Sequence, residues 1–374
     1  MKKIVFLSGT RADFGKIKSL LRILQNADDF EAYIFATGMH LQQKYGFTVM
    51  EIEKSGFDHI HTFDNQTEQG TMDMSLAKTI EGFSTYVRKL KPDLIVVHGD
   101  RIETLAGATV GALNNIRVAH IEGGEISGTV DELIRHAVSK LSHIHFVSNA
   151  EAERRLIQMG ELENSIFEIG SPDVDIMFSE GLPKLSEVQK YYEIPFDDYA
   201  VAMFHPVTTE YEDMAQYAAD FVSAIEADDT NYVVIYPNND LGSEAVFKAY
   251  ERLKENKRFR IFPSIRFEYF LTLLKNAKFM IGNSSAGVRE APYYHVPTVN
   301  IGSRQKNRVS HEEIVHCSYD TNDIITAINT AKSLKMKQRD ERFGKGNSAQ
   351  LFLEILREAS LWELSNQKQF RDQF

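Results

Sequence analysis

Short apolar runs alternate along this chain with longer stretches whose apolar positions recur at helical spacing. In the first half the runs cover residues 4–7, 33–36, 59–63, 94–98, 118–121, 144–147 and 166–169, with amphipathic stretches such as 16–24, 74–90 and 131–141 between them. Apolar runs joined by helical crossovers predict βαβ units and a parallel sheet. The run Leu94-Ile95-Val96-Val97 lacks polar alternation, as expected of a strand covered on both faces. The rhythm breaks over 170–198, where Pro172, Gly181, Pro183 and Pro195 fall, and one short helix is expected there at 185–192. It resumes with runs at 200–204, 232–236, 260–262, 279–281 and 298–301, and a long amphipathic helix is predicted over 348–362. The pattern therefore predicts two α/β domains, 1–170 and 199–345, joined by a connection at 171–198 and followed by a final segment, 346–374.

Composition narrows the partners. Lys and Arg number 42 against 53 Asp and Glu, a formal charge of −11, so a phosphate-rich polymer is repelled on average and nucleic acid is not expected. A small phosphorylated ligand needs only a local group of cations. Cys317 is the single cysteine, which rules out an internal disulfide or a cysteine metal cluster. Lys2 and Lys3 precede only four apolar residues, too few for a signal-peptide core, and no apolar run approaches the ~20 residues that span a bilayer. The expected setting is the cytoplasm, with no membrane contact.

Ligands of parallel sheets bind outside the carboxyl ends of the strands, so the polar residues that follow each run are the candidates. The first run leads into Gly9-Thr10-Arg11-Ala12-Asp13-Phe14-Gly15-Lys16, a glycine turn into a helix start with two cations, suited to an anion. The bland alternative is an ordinary turn with solvated Arg11 and Lys16. The fourth run ends in His98-Gly99-Asp100-Arg101, where Asp100 is either a helix cap or a site carboxylate. After the fifth come Glu122-Gly123-Gly124-Glu125 and then Asp131 with Arg135, whose i, i+4 spacing also fits a surface ion pair. Asp100, Glu122 and Asp131 converge on one crevice, as acid–base work or stabilisation of a cationic intermediate requires.

In the second half, His205-Pro206-Val207-Thr208 and Tyr236-Pro237-Asn238 follow two of the runs. Gly282-Asn283-Ser284-Ser285-Ala286-Gly287 reads as a cradle of N–H and hydroxyl donors for phosphate, or else as a plain capped helix start. Glu290, one turn into the expected helix, is placed for ribose hydroxyls, and Arg304 for a phosphate. Neither a Walker A loop nor GxGxxG occurs, and no redox cofactor is expected. The pairs His59 with His61 and His143 with His145 have zinc-like spacing but no evident third ligand, so no metal site is expected. Residues 267–274 read as a packing helix.

These blocks, in this order, resemble the hydrolysing UDP-N-acetylglucosamine 2-epimerases of bacterial sialic acid synthesis and the epimerase half of the bifunctional animal epimerase/kinase. The likeness runs from Met1 to Trp362 and is carried by Gly9-Thr10-Arg11-Ala12-Asp13, His98-Gly99-Asp100-Arg101, the stretch 120–129 from His120, Asp131-Glu132, Phe204-His205-Pro206-Val207-Thr208, Tyr236-Pro237-Asn238 and Gly282-Asn283-Ser284-Ser285. It implies two Rossmann-like domains in a GT-B-type arrangement with the active site in the interdomain cleft, and a final helix that crosses back to the first domain. It implies catalytic roles for Asp100, Glu122 and Asp131, and substrate or UDP contacts at Arg11, Lys16, Arg101, His205, Asn238, Ser284, Ser285, Glu290 and Arg304. The partner implied is a small-molecule nucleotide sugar, and the assembly a homodimer or higher homo-oligomer. The non-hydrolysing sister group reads Arg-Pro-Glu where this chain has Arg11-Ala12-Asp13, and Ser-Gly-Gly where it has Ser284-Ser285-Ala286, which favours the hydrolysing branch.

Overall fold

A computed structural model describes residues 1–68, 70–305, 314–334 and 341–372. The chain divides into two compact units, the first formed by Met1–Glu125, Asp131–Ser179 and Arg342–Phe374, the second by Ile126–Val130 and Glu180–Glu341. Each has the α/β class that the apolar rhythm predicted and the Rossmann-like build that the resemblance implied.

The first unit holds strands β1 (Lys2–Ser8), β2 (Phe30–Ala36), β3 (Ile60–Thr62), β4 (Leu94–His98), β5 (Arg117–Ile121), β6 (Ile144–Val147) and β7 (Ile166–Glu168). They run parallel in the order β3-β2-β1-β4-β5-β6-β7. The crossovers are helices α1 (Arg11–Gln25), α2 (Val49–Glu53), α3 (Met72–Leu90), α4 (Ile102–Leu113), α5 (Val130–Leu141) and α6 (Ala150–Gln158), and α7 (Pro172–Met177) follows β7. The second unit opens with α8 (Leu185–Tyr192), where the short helix was expected. Its strands β8 (Tyr199–Met203), β9 (Asn231–Ile235), β10 (Phe259–Phe262), β11 (Met280–Gly282), β12 (Thr298–Ile301) and β13 (Ile314–Cys317) are parallel in the order β10-β9-β8-β11-β12-β13. Between them lie α9 (Met214–Ala227), α10 (Ser243–Tyr250), α11 (Phe267–Lys275) and α12 (Glu290–Tyr293), and α13 (Thr321–Ser333) follows β13.

Residues 348–362, read as one helix, are two: α14 (Ser348–Arg357) and α15 (Ala359–Glu363), separated by Glu358 with extended backbone at φ −71° and ψ 126°. Both belong to the first unit. Phe352, Leu353, Leu356 and Leu361 are buried in the same core as Phe6, Leu94 and Phe146. The Phe352 ring lies 4.9 Å from that of Phe146 and 6.3 Å from that of Phe6. The first unit's core thus needs residues from both ends of the chain.

In both sheets the strand order reverses direction once. The reversal lies between β1 and β4 in the first unit and between β8 and β11 in the second. At such a point neighbouring crossovers leave on opposite faces and open a crevice at the carboxyl ends of the strands. The loops after those four strands begin at Gly9, Gly99, Phe204 and Asn283 and hold Asp100, Arg101, His205, Ser284 and Ser285, while Glu122 follows β5, Asn238 follows β9 and Arg304 follows β12.

Candidate active site

In the first unit the loop after β1 is fixed by its own side chains. Thr10 caps α1 in a capping box with Asp13. The Asp13 carboxylate accepts from Gly9 N at 2.9 Å, Thr10 N at 3.0 Å and Ser8 Oγ at 2.8 Å. Ser8 Oγ–H already donates to Asp13, so its 2.9 Å contact with His40 makes His40 Nε2–H the donor. His40 Nδ1 then accepts from Thr48 Oγ1 at 2.7 Å. Burial holds this imidazole neutral, with a pKa pushed down to about 4, the nearby Asp13 charge opposing the shift only in part. Arg11, at the helix start, forms an ion pair with Glu51 of α2.

The loop after β4 is held from β5. Burial pushes the His120 pKa down to about 3, and its Nε2 donates to Gly99 O at 2.8 Å while Nδ1 accepts from Ser139 Oγ at 3.1 Å. Asp100 does not cap the next helix; Arg101 occupies that position and makes no side-chain cap bond. Instead Asp100 pairs with Arg135, which also donates to the Glu122 carbonyl. Arg135 is only 2% exposed, so the surface ion pair suggested by its spacing from Asp131 is wrong in its setting: α5 turns that face inward, and Asp131 is buried too. Glu103, the second residue of α4, is buried against the Gly9 turn, and burial raises its pKa while Arg101 and Asn65 oppose.

Glu122 is the centre of this group. Its φ is +64°, in the left-handed region that residues with a Cβ avoid at a cost of about 1–2 kcal/mol. Such strain persists where the surroundings impose it, and it collects at working sites. Glu122 N donates to Phe146 O at 3.0 Å, and its carbonyl is taken by Arg135. The carboxylate is buried. Ser171 Oγ donates to Oε1 at 2.6 Å, His98 Nε2 lies 3.3 Å from it and Lys16 Nζ 3.9 Å. Lys16 sits closer to Asp173, at 3.2 Å. The two glycines that follow answer a steric need. Gly124 has φ +75°, and a Cβ there would come within 2.2 Å of Ala152 O.

In the second unit β8 and β11 approach so closely that a Cβ on Gly282, at φ +133°, would lie 1.9 Å from Met203 O. The next residues lock the two loops together: His205 N donates to Asn283 Oδ1 at 2.6 Å, and Asn283 Nδ2 returns to His205 O at 2.8 Å. Asn238 N donates to His205 Nδ1 at 3.1 Å, which leaves the ring proton of the neutral form on Nε2. The Asn238 amide pairs with Asp240. Ser284 caps a single 3-10 turn, Ser285–Gly287, by accepting from Ala286 N at 3.3 Å. Glu290 does not lie one turn inside a helix as expected. Arg289 breaks the helix, and Glu290 opens the four-residue α12, buried. The Arg304 guanidinium and the Gln305 amide both donate to Asn283 O, at 3.2 Å and 2.9 Å. Ser303 and Tyr319 hold this loop through Glu210.

The structure thus brings Lys16, Asp100 and Glu122 into one connected cluster, and His205, Asn238, Asn283 and Arg304 into another. His59 stacks on Tyr33 and pairs with Glu31, His61 stacks on Tyr86, and His145 bonds to Glu161. Among the described residues no group of His, Cys, Asp and Glu is arranged to hold a metal ion. Ser171, Asp173 and the inward-facing Arg135 were missed by sequence reasoning. The strand-end rule applied to β7 would have reached Ser171 and Asp173, had the break at Gly170 not been read as a linker.

The buried imidazoles give a testable pH dependence. Both folded pKa values lie below the 6.5 of a free histidine, so the unfolded chain takes up these protons first as pH falls. Their stabilisation is complete above about pH 6.5 and is lost progressively toward pH 4 and below. Urea titrations between pH 6.5 and 4 should show the slope of stability against pH reduced by one proton in His40→Gln. An unchanged slope would mean that His40 is protonated in the folded protein.

A family model described as UDP-N-acetylglucosamine 2-epimerase matches residues 22–357. The chain belongs to the UDP-N-acetylglucosamine 2-epimerase family. It is 49% identical over 376 residues to the UDP-N-acetylglucosamine 2-epimerase of Neisseria meningitidis serogroup B, covering 100% of this chain and 99% of that protein. It is 32% identical to the UDP-N,N'-diacetylbacillosamine 2-epimerase (hydrolyzing) of Legionella pneumophila, with 96% of each covered. Identity to the polysialic acid biosynthesis protein P7 of Escherichia coli is 33%, covering 90% of this chain and 87% of that one. Among solved structures, the UDP-GlcNAc 2-epimerase of Methanocaldococcus jannaschii in complex with UDP-GlcNAc and UDP superposes with a TM-score of 0.79 at 23% identity, covering 95% of this chain and 99% of that one. That likeness is one of fold, of the GT-B type. Among the described residues no helix is long and apolar enough to cross a membrane.

Proposed function

We propose that this epimerase is of the hydrolysing kind and converts UDP-N-acetylglucosamine and water to N-acetylmannosamine and UDP, as a supply for sialic acid synthesis. The observation that carries the reading is the strained, buried Glu122, whose carboxylate meets Lys16, His98 and Ser171 beside the Asp100–Arg135 pair. The C2 proton of the sugar is not acidic, because no carbonyl adjoins it. Departure of UDP from C1 gives that carbon cationic character and acidifies C2. The C1–O bond breaks with its electrons going to the diphosphate, and a carboxylate among Asp100, Glu122 and Asp131 takes the C2 proton, leaving a glycal. Water then adds at C1 while a protonated group returns hydrogen to C2 from the opposite face.

Arg11, Lys16, Arg101, His205, Ser284, Ser285 and Arg304 supply cations and donors for the charge that grows on the leaving diphosphate, and Asn238 and Glu290 complete the nucleotide contacts. The names of the relatives support the reading: that of the Neisseria protein gives the sugar, that of the Legionella protein the hydrolytic outcome, and that of the Escherichia coli protein polysialic acid biosynthesis. A second reading, hydrolytic epimerisation of a UDP-2,4-diacetamido-2,4,6-trideoxyhexose, is favoured by the names of the Legionella relative and of a Campylobacter jejuni relative 31% identical to this chain.

Proton NMR of the protein with UDP-N-acetylglucosamine in D₂O tests the proposal. Free N-acetylmannosamine carrying deuterium at C2, together with UDP, is the expected result. Product without C2 deuterium would sink the elimination route. Product still attached to UDP would make the enzyme non-hydrolysing, and turnover of the diacetamido sugar alone would select the second reading.

A further inference from the structure

We propose that Ser171 and Asp173, on the turn from β7 into α7, are positioning residues for this reaction, an inference that rests on the function proposed above. Ser171 fixes one oxygen of Glu122, and Asp173 fixes the ammonium of Lys16. Both side chains are deeply buried, Ser171 at 0% and Asp173 at 2% exposure. An ammonium in such a place needs a counter-ion, since burying an unmatched charge is strongly unfavourable. Two carboxylates compete for the role, and the distances divide the work: Asp173 lies 3.2 Å from Lys16 Nζ, Glu122 3.9 Å. The nearer anion, Asp173, holds the cation. Glu122 thereby shares the ammonium with a second carboxylate. Its Oε1 is kept in one orientation by the 2.6 Å bond from Ser171.

The turn that carries the two residues is itself tied down. Ser171 N donates to Phe343 O at 2.5 Å, and Pro172 at the first helical turn presents its carbonyl to Ser19 Oγ at 3.2 Å. Asp175 accepts from Ser348 N and Ala349 N, each at 2.8 Å, at the start of α14. A segment anchored at three points can hold reacting groups to the few tenths of an ångström that chemistry demands.

The test compares wild-type protein, Asp173→Asn, Ser171→Ala and Ser171→Thr, with UDP-N-acetylglucosamine as substrate and UDP as the binding probe. Asp173→Asn should lower kcat about 10- to 100-fold, with KM and the UDP Kd within about threefold of wild type. Ser171→Ala should lose about tenfold in kcat, and Ser171→Thr, which keeps the hydroxyl, should recover to within about threefold of wild type. A folded Asp173→Asn protein with wild-type kcat overturns the inference. So do equal losses in Ser171→Ala and Ser171→Thr, because packing alone would then explain them. Should Asp173→Asn fail to fold, the Ser171 pair decides. Active wild type with indifferent variants defeats this inference alone, whereas inert wild type defeats the proposed function and this inference with it.

Discussion

Glu122→Gln is expected to lower kcat about 10²- to 10⁴-fold while UDP still binds within about threefold of the wild-type affinity. The substitution keeps the size of the side chain and leaves the backbone at φ +64° in place, since Arg135 and Phe146 hold that backbone through its carbonyl and N–H. What changes is the chemistry at one buried oxygen pair. An amide cannot take up the C2 proton, and its NH₂ group, if turned toward Lys16 or Ser171, faces a donor where the carboxylate faced a partner. Steady-state turnover with calorimetric UDP binding separates the outcomes. A kcat within tenfold of wild type would take Glu122 out of the proton-transfer step. Parallel loss of UDP affinity would move it from chemistry to binding.

The largest effect on stability is expected at the other end of the chain. Phe352→Ala should cost about 3–5 kcal/mol, the usual range for deleting a fully buried aromatic ring. Phe352 is 0% exposed and its ring meets Phe146 edge-on at 4.9 Å. The hole would open in the middle of the core that joins β1 and β6 to α14, and the two strands cannot close it by moving, because each is hydrogen-bonded on both sides. Urea unfolding monitored by circular dichroism measures the loss. A change below about 1 kcal/mol, less than a well-packed ring should cost, would show that α14 is not seated on this core in solution.

Much of this architecture could be read from the residues, and the reason is physical. Strands covered on both faces must be apolar throughout, so the runs at 94–98, 144–147 and 298–301 coincide with β4, β6 and β12. Helix starts were harder. The first two turns of α1 hold Arg11, Asp13 and Lys16, and their charge hides a helix that begins well before the apolar spacing does. β13 went unread because it is an edge strand with exposed positions, so it lacks the continuous apolar signature. The break at Glu358 has neither glycine nor proline to announce it. In the candidate site, strand ends pointed to Asp100 and Glu122 directly. Arg135 was misjudged because spacing along a helix says which residues share a face, not whether that face is covered. Lys16 was picked out, but its pairing with Asp173 depends on residues far apart in sequence coming together, and local pattern carries no such information.

The first unit is assembled from residues 1–125, 131–179 and from 342 onward, with the whole of 180–341 made in between. During synthesis, then, the early strands leave the ribosome without the helix that seals them. At translation rates of about 5–20 residues per second, that wait is on the order of ten seconds or more. Throughout it, the patch around Phe6 and Phe146 faces solvent, or a chaperone. A chain released just after residue 341 would have all the residues of its second unit, while its first unit would remain an open, adhesive sheet.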